Sequence, residues 1–368
     1  MHATTANTFS NTTAGYERWR GRRIQIVEDD LAAKQAKLRE SPFMLFRGAP
    51  YRYHELFARL LPELAAAPVA IAAGDLHVEN FGTWLDRDAR VVWGAIDLDE
   101  VDLLPYTLDL VRLAASAVLA ADAGLLAIDA GAACEAIESG WRERLGARRP
   151  RPFVLGERHQ HLWRIAAQDA LDPIAFDEWV AALPPYERAL PKPALRMLAA
   201  VTPPGDFRPQ LRRRRAGVAS LGARRIVASG ELDGGPIVRE AKQVPGPVSM
   251  WSDPKRTQVS GLVGAIDAAR GVAADPCRRQ SRKWVVRPLR PQTTRLELAG
   301  LKGSHPIGDL LHSMGEEAAN IQLVAIRGAS PPKLLRRDDE ARGTGWLLPA
   351  AEAIAEATRA DHVEWCNC

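Results

Sequence analysis

A few polar side chains that could bind a metal ion follow two apolar runs in the first third of the chain. They are Asp75 and Asn80 in IAAGDLHVENFG (71–82), and Asp97 and Asp99 in VVWGAIDLDEV (91–101). The polar stretch LDRDAR between the runs predicts a hairpin turn, so we expect the ends of two neighbouring strands to bring these side chains around one small volume. Carboxylates in such a place repel one another unless a cation such as Mg²⁺ neutralises them. Because Mg²⁺ usually accompanies phosphate, the pattern indicates phosphoryl transfer.

Two other interpretations of these segments stay open. The Asp and Asn side chains could cap the turns of a polar hairpin without binding an ion. Alternatively, Asp75 and His77 form an Asp-x-His pair, which is typical of a two-metal metallophosphoesterase. Such an enzyme needs several further histidines, and none of the others in this chain lies at a comparable strand end.

The first motif, GDLHVEN followed by IDLDE, resembles the catalytic and metal loops of aminoglycoside phosphotransferases and choline kinases, which have the protein-kinase-like fold. The resemblance implies that Asp75 orients or deprotonates the attacking hydroxyl and that Asn80 and Asp97 hold Mg²⁺ on nucleotide phosphates. Asp99 is the further metal ligand, or else hydrogen-bonds loop N–H groups.

Two more positions near these loops follow from the same resemblance. We expect His77, in the catalytic loop, to brace that loop through a backbone hydrogen bond rather than to act as a base. Asp109 matches the residue that opens the next helix and braces the catalytic loop. The chain departs from the pattern at Ala73, where those families usually have His.

A closer resemblance rests on the segments SPFMLFRGA (41–49), GDLHVENFG, IDLDE, LDLVRLAAS and REAK. This set is similar to a bacterial family catalogued as domain of unknown function 2252, which is placed with the kinase-like fold. Arg47, in the first segment, lies between apolar residues and Gly48. It is a candidate clamp for a phosphate, since Arg offers a planar fork of donors, or a structural partner of a loop carboxylate.

A glycine-rich stretch, GVASLG (217–222), is followed by a strand, a Gly-Gly turn and a second strand that ends in REAK. It resembles a kinase Gly-rich loop, so Gly217, Ser220 and Gly222 are expected near phosphates, with Lys242 as the strand Lys that pairs with them. Arg239 is the alternate phosphate partner. Because it is three residues from Lys242 on one strand, the two point to opposite faces and at most one faces the cleft.

The order of these motifs predicts the fold. In kinases the Gly-rich hairpin precedes the catalytic loop, whereas here it follows it, so we expect an α+β, circularly permuted, protein-kinase-like two-lobed fold. Residues 1–205 form the helical lobe with the catalytic and metal loops, 206–291 a small antiparallel β lobe for the nucleotide, and 292–368 a helical return to the large lobe. The helix after Lys242 offers Asp267 as the Lys partner.

Several local expectations complete this prediction. Gly15–Glu40 reads as one amphipathic helix, Pro42 as a helix stop, and Gly328–Gly345 as a charged loop. Residues 1–13 are expected to be disordered.

The composition is that of an ordinary globular protein: 368 residues, 46% hydrophobic and 26% charged, with a formal net charge of +4. Four scattered cysteines, Cys134, Cys277, Cys366 and Cys368, form neither a disulfide nor a zinc pattern. We find no signal peptide and no membrane span, which favours the cytoplasm. Nucleic-acid binding rests only on two Arg runs and ranks last among the functions considered.

The expected function is therefore an ATP- and Mg²⁺-dependent phosphotransferase that acts on an unidentified hydroxyl acceptor, either a small molecule or a protein. One alternative is a nucleotide-binding pseudokinase. Another is transfer of AMP, as in the kinase-like selenoprotein O group.

Overall fold

The computed structural model describes residues 8–86, 88–147, 149–156, 159–169, 172–203, 205–269, 278–301 and 307–368. It is a mixed α+β protein in which the helices dominate and the sheets are small and antiparallel. Cys277 and residues 1–7 lie outside the described residues. Disorder was expected for residues 1–13, and this is wrong for residues 9–13, which form the start of a helix.

Five helices open the chain: α1 (Phe9–Gly21), α2 (Glu28–Lys37), α3 (Pro42–Gly48), α4 (Pro50–Leu60) and α5 (Pro62–Ala65). The single helix expected over Gly15–Glu40 is wrong, because the chain turns between Gly21 and Glu28 and makes two helices. Pro42 begins α3 instead of stopping a helix. Its missing N–H costs nothing at the first helical position, and Ser41 caps the helix by accepting a hydrogen bond from Met44 N.

The acidic motifs lie among four short strands: β1 (Val69–Ala72), β2 (Phe81–Leu85), β3 (Val91–Ala95) and β4 (Asp102–Pro105). β2 and β3 form the hairpin that LDRDAR predicts. β1 pairs with β4 and not with β3. The two acidic segments therefore follow strands of separate sheets, which corrects the expectation of two neighbouring strands.

The next segment supplies most of the helical core. It contains α6 (Tyr106–Asp122), α7 (Ala130–Gly146), β5 (Phe153–Val154), α8 (Gln160–Asp169), α9 (Pro173–Ala182) and α10 (Lys192–Ala200). β5 adds a third strand to the β2–β3 hairpin. Helix α6 is buried over almost all of its length, and two of its buried polar side chains, Asp109 and Arg112, have their partners in the site described below.

A five-stranded antiparallel sheet follows. The segment that contains it has the elements β6 (Gln210–Arg213), β7 (Arg225–Leu232), β8 (Gly235–Gln243), α11 (Ser249–Ser252), α12 (Leu262–Ala269), β9 (Arg279–Gln280) and β10 (Trp284–Pro288). The strand order is β6-β7-β8-β10-β9. The Gly217–Gly222 loop connects β6 to β7, and Lys242 lies near the end of β8, opposite Arg225 and Val285. The sheet therefore presents the loop and the lysine at the same end.

After a short 3₁₀ turn, Leu298–Gly300, three helices complete the chain: α13 (Ile307–Gln322), α14 (Pro332–Arg342) and α15 (Leu347–Asn367). The charged loop expected over Gly328–Gly345 is wrong. Pro332 starts a helix there, Leu335 is fully buried on one face, and Arg342 pairs with Asp338 one turn earlier. Among the described helices, none combines the length and the apolar character that crossing a bilayer requires.

Helices α7 and α13 cross so closely that side chains would not fit between them. A Cβ added to Gly140 would lie 2.0 Å from His312 O, and one added to Gly315 would lie 2.1 Å from Ile137 O. The two glycines bring the helix backbones into contact, with Met314 and Ile137 fully buried beside them. This crossing holds the C-terminal helices against the segment that carries the acidic loops.

Candidate functional site

One cavity collects most of the residues that the sequence singled out. Asp75, His77, Asn80, Asp97, Asp99, Arg47, Gly217, Ser220 and Lys242 all line it. The cavity is small, about 50 Å³. It lies between the two acidic loops on one side and the Gly-rich loop with the end of β8 on the other. Segments more than 140 residues apart in the sequence thus meet at one place.

Asp75 makes a buried ion pair with Arg112 of α6. Arg112 Nε donates to Asp75 Oδ1 at 2.6 Å, and the Arg112 side chain is fully buried. The guanidinium also donates to Phe46 O at 3.1 Å and lies over the rings of Phe46 and Tyr53. Burial raises the pKa of Asp75, although the positive charge of Arg112 opposes that rise. The carboxylate is therefore held in place and still faces the cavity.

Asn80 joins the two acidic loops. Its side-chain amide donates to Asp75 O at 2.9 Å and to Asp97 O at 3.1 Å, and its Oδ1 accepts from Asp97 N at 3.0 Å. The amide thus fixes the backbone of both loops at once. One acceptor position of Oδ1 remains for a further ligand.

Asp109, at the start of α6, holds the chain just before Asp75. Its two carboxylate oxygens accept from Ala73 N at 2.6 Å and Gly74 N at 3.0 Å. The structure thus places Asp109 where the resemblance to the phosphotransferases implied. The bracing uses the backbone N–H of Ala73, so it does not require a His side chain at that position.

His77 supports the same loop from inside. Its Nδ1 accepts from Glu79 N at 3.2 Å. Burial, and then the nearby charge of Arg47, lower the pKa of His77 well below its ordinary value, so the imidazole is neutral. A neutral ring that accepts a backbone hydrogen bond positions the loop and is not protonated near neutral pH.

Lys242 connects the sheet to the loop that carries Asp97 and Asp99. Its Nζ lies 3.1 Å from Asp97 Oδ2 and forms a second ion pair with Asp99. Burial alone would raise the pKa of Asp97, but Lys242 and two arginines outweigh it and hold that pKa well below the usual range. For Asp99, burial and the charge of Asp97 raise the pKa. The partner expected for Lys242, Asp267, instead lies on α12 beside a different cavity.

The donors fit a magnesium ion that is shared with phosphate. Within the described ranges, no three His, Cys, Asp or Glu side chains come together in a metal-binding group. Magnesium bound with a nucleotide, however, needs only one or two carboxylates together with phosphate oxygens. Asp97 and Asp99 already share one cation, the Lys242 ammonium, and the Asp97 side chain is 41% exposed. These two carboxylates and Asn80 Oδ1 are the atoms that could hold the metal.

Two of the residues that the sequence predicted lie outside the cavity lining, and a third, Arg47, lines the cavity but is held in an ion pair. Arg239 points to the opposite face of β8 from Lys242 and donates to Val201 O and Val238 O, so it does not reach the cavity. Gly222 is outside the lining as well, and its carbonyl accepts from Val27 N at 2.9 Å. Arg47 lines the cavity and forms an ion pair with Glu79 at 2.5 Å, which is the loop-carboxylate alternative.

The Gly-rich loop is anchored by the N-terminal helices. Arg20 of α1 donates to Leu221 O at 2.9 Å, and Tyr16 lines the cavity one turn earlier. Gly217 has φ +70°, a conformation that favours glycine. The sequence indicated only an amphipathic helix in this N-terminal region, because contacts across some 200 residues leave no local pattern.

Other functional candidates were missed in the same way. Arg295 lines the cavity and donates to Glu79 O at 2.8 Å. Arg112 carried a signal that could have revealed it, since an arginine in the apolar face of LDLVRLAAS needs a buried partner. No such pattern marks Arg295, which follows the sheet in an irregular segment.

The comparison with protein families gives a match to one family model. Neither the curated proteins nor the solved structures contain a match to this chain. The segment REAK, on which the sequence resemblance also rests, lies outside the residues that the family model matches. Residues 23–172, which carry both acidic loops and Arg112, match the model of a family described as "Uncharacterized protein conserved in bacteria (DUF2252)", and this supports the family resemblance for that part of the chain.

Proposed function

We propose that this protein is a kinase-like phosphotransferase that uses ATP and Mg²⁺ and acts on a hydroxyl acceptor. One observation carries the proposal: Lys242, from the β-sheet, meets Asp97 and Asp99 beside Asp75 and Asn80 in one cavity. A strand lysine, a metal-binding carboxylate and amide, and an aspartate near the acceptor are the recurring parts of phosphoryl transfer in kinases.

The proposed fold is the circularly permuted, kinase-like one. In protein kinases the phosphate-binding lysine lies on the third strand, after a Gly-rich loop. Here β6, the Gly217–Gly222 loop, β7 and β8 follow in that order, and Lys242 lies on β8, the third of these strands. The acidic loops follow the Gly-rich loop in kinases but precede it in this chain, so the order of the two parts along the sequence is exchanged.

Each residue has a separate task in this proposal. Asp75, fixed by Arg112, orients the acceptor hydroxyl and takes its proton as the new oxygen–phosphorus bond forms and the bond between the γ-phosphoryl group and the ADP leaving group breaks. Asn80 and Asp97 hold the metal, which when bound neutralises charge on the phosphates. Lys242 binds phosphate oxygens once it leaves the carboxylates. Rate enhancement comes from positioning and charge neutralisation, because the protein makes no covalent bond to the transferred group.

A nucleotide-binding pseudokinase is the second candidate, favoured by the size of the cavity. At about 50 Å³ it is far below the roughly 300 Å³ of a typical small-molecule site, and Lys242 is engaged by both carboxylates. A nucleotide needs the Gly-rich loop to move away or must occupy adjoining space. If that rearrangement does not assemble a reactive geometry, binding occurs without turnover.

The test is a thermal-melting series on the full chain with ATP, ADP and AMP, each with and without Mg²⁺. A ligand that binds only the folded state raises the melting temperature by mass action. We expect a rise with ATP that depends on Mg²⁺, its loss in Asp97→Asn, and no change in the matched control Asp88→Asn, whose side chain is 59% exposed.

Turnover is then followed with ATP labelled on the γ- or the α-phosphate. Release or transfer of the γ-label that is lost in Asp75→Asn supports the phosphotransferase. Binding without any transfer favours the pseudokinase, and covalent retention of the α-label favours AMP transfer. Absence of nucleotide stabilisation with and without metal would refute all three.

A further inference from the structure

A second cavity adjoins the candidate site and is much larger. Its volume is about 350 Å³, and it shares Asp97, Gly217 and Arg295 with the first cavity. Five arginines line it: Arg214, Arg225, Arg287, Arg290 and Arg295. The acidic residues in its lining are Asp97, at the shared edge, and Glu297. The cavity is therefore rich in positive charge and lies directly beside the proposed phosphate site.

Three of these arginines converge on one buried carboxylate. Glu240, on β8, is fully buried and accepts from Arg214 at 2.7 Å, Arg225 at 2.9 Å and Arg287 at 3.0 Å. Burial opposes ionisation of this carboxyl, but the surrounding guanidinium groups hold the pKa of Glu240 well below its usual value. Three guanidinium groups thus face one carboxylate, and although Asp97 interacts with Arg225 and Arg287 from the shared edge, positive charge is in excess around this cavity.

The arginines are also placed to offer donors. The side chains of Arg214 and Arg287 are 21% and 29% exposed, so part of each guanidinium faces the cavity while the rest binds Glu240. Arg225 is 4% exposed, and its Nε is buried with no hydrogen-bond partner among the described residues. Burial, and then the charge of Arg47, lower the pKa of Arg295 at the junction of the two cavities. Excess positive charge in a partly desolvated pocket is stabilised when an anion binds.

We propose that this arginine cavity is a phosphate-binding site separate from Lys242. It recognises a phosphate or polyphosphate group through the guanidinium forks of Arg214 and Arg287, whose positive charge Glu240 offsets only in part. The proposal extends the proposed function and rests on it only for the role of the bound group in transfer. Phosphate binding itself needs neither the metal nor turnover.

Two sources can supply this phosphate. It belongs either to the nucleotide, whose phosphate chain then extends past Asp97 into the second cavity, or to a phosphorylated acceptor that binds beside the nucleotide. Both use the same chemistry, so the site is defined by the anion. The sources differ in whether the nucleotide and a free anion can be bound at the same time.

The probe is inorganic pyrophosphate added to the full chain without Mg²⁺, with affinity measured by calorimetry and by thermal melting. We expect saturable binding to the native protein that is about tenfold or more weaker in the Arg214→Gln/Arg287→Gln double variant, since two charge-assisted hydrogen-bonding groups are lost. Arg208→Gln is the matched control, because Arg208 is 85% exposed and pairs with the exposed Asp206, two residues earlier. Its affinity should equal that of the native protein.

Glu240→Gln should change the pyrophosphate affinity in the opposite direction from the double Arg variant. Loss of affinity through misfolding cannot produce that change. Removing the carboxylate leaves the guanidinium groups uncompensated, so this variant should melt lower without anion, bind pyrophosphate more tightly, and recover stability when it is added. Lys242→Gln should weaken pyrophosphate binding less than the double Arg variant does, because Lys242 does not line the arginine cavity and acts on it only through its partner Asp97.

The outcomes separate the possibilities. Absence of saturable pyrophosphate binding to the native protein overturns the proposal, as does unchanged affinity in the double Arg variant, weaker binding in Glu240→Gln, or a larger loss of affinity in Lys242→Gln than in the double Arg variant. Competition between pyrophosphate and saturating Mg-ATP assigns the site to the nucleotide, whereas simultaneous binding assigns it to an acceptor. The proposed transfer activity is scored independently, by the Asp97→Asn and labelled-ATP experiments, so either hypothesis can fail alone.

Discussion

Lys242 Nζ lies 3.1 Å from Asp97 Oδ2, and this ion pair joins the five-stranded sheet to the acidic loop that follows β3. The same ammonium also pairs with Asp99, so one positive charge neutralises two carboxylates that would otherwise repel each other. The lysine thus occupies the place of a cation between these side chains. A metal ion and Lys242 should therefore compete for the same oxygens.

The first prediction concerns Lys242→Gln. Without the competing ammonium, Asp97 and Asp99 should bind Mg²⁺ more tightly in the absence of nucleotide, by about tenfold, because the same two charges now lack a counter-ion. Transfer to an acceptor should fall by about 100-fold or more, since a preorganised phosphate partner is lost. Magnesium titrations of the melting temperature and single-turnover assays measure the two effects.

Lys255→Gln is the control for that experiment, because Lys255 is exposed and carries the same charge. It should leave both the Mg²⁺ response and the turnover unchanged. Equal Mg²⁺ affinities for the native protein and Lys242→Gln would show that the lysine does not compete with the metal.

The second prediction concerns the buried pair between Arg112 and Asp75. Arg112→Met should lower the free energy of unfolding by about 3–5 kcal/mol, because the variant leaves a buried carboxylate without its partner. The double variant Asp75→Asn/Arg112→Met should recover a large part of this loss, since it removes the charge as well. Urea unfolding of both variants measures the difference.

An exposed pair supplies the matched control. Arg359 and Asp122 lie on the surface, 38% and 50% exposed, so Arg359→Met should cost no more than about 1 kcal/mol. If Arg112→Met and Arg359→Met were equally mild, Arg112 could not be what holds Asp75 in position.

The sequence indicated that the acidic residues lie close together, because this information is local. Asp75, Asn80 and Asp97 follow apolar strands within about 25 residues of one another, and short motifs of this kind determine their own loop geometry. Helix boundaries were predicted less well. The charged segment containing α14 looked like a loop, although Pro332 at its start and buried Leu335 mark a helix with one apolar stripe.

Long-range partners could not be predicted in this way. Glu240 and its three arginines come from β8, β10, the start of β7 and the residue after β6, and nothing in any one segment indicates that they meet. The Lys242 partner was sought on the next helix, whereas the carboxylates come from a loop 145 residues earlier. Contacts of such separation arise from the sheet topology and leave no periodic pattern.

The third prediction tests the contact between α7 and α13. Gly315→Ala would place a methyl group 2.1 Å from Ile137 O, so the helices must separate. Overpacking of this kind typically costs about 1–3 kcal/mol. Thermal or urea unfolding should show this loss.

Gly308, in the first turn of the same helix, is the matched control. An added Cβ there has no heavy atom of the described residues within 4 Å, so Gly308→Ala should be neutral or stabilise by up to about 1 kcal/mol through helix propensity. Destabilisation of both variants to the same extent would show that the crossing does not depend on the absence of a side chain at position 315.

The last prediction concerns the pH dependence of stability and rests on Glu100, which also lines the first cavity. Burial raises the pKa of Glu100 from 4.5 to about 8, and its Oε2 accepts from Val248 N. The folded protein therefore keeps a proton that the unfolded chain releases above pH 4.5. Because the unfolded state binds fewer protons in this window, the free energy of unfolding must fall as the pH rises from about 4.5 to about 8.

Glu100→Gln should remove this part of the fall, because the amide keeps a carbonyl acceptor for Val248 N and cannot ionise. The variant should be about as stable as the native protein at pH 4.5 and more stable at pH 8.5, with the difference growing by at most roughly 1.4 kcal/mol for each pH unit. Burial also raises the pKa of Asp109, to about 7, but that group is present in both proteins and cancels in the comparison. Glu231→Gln, at an exposed position, should follow the native curve of stability against pH. Urea unfolding at five pH values measures all three curves. If the Glu100 carboxyl of the native protein were ionised in the folded state throughout, the curves of the native protein and of Glu100→Gln would run parallel.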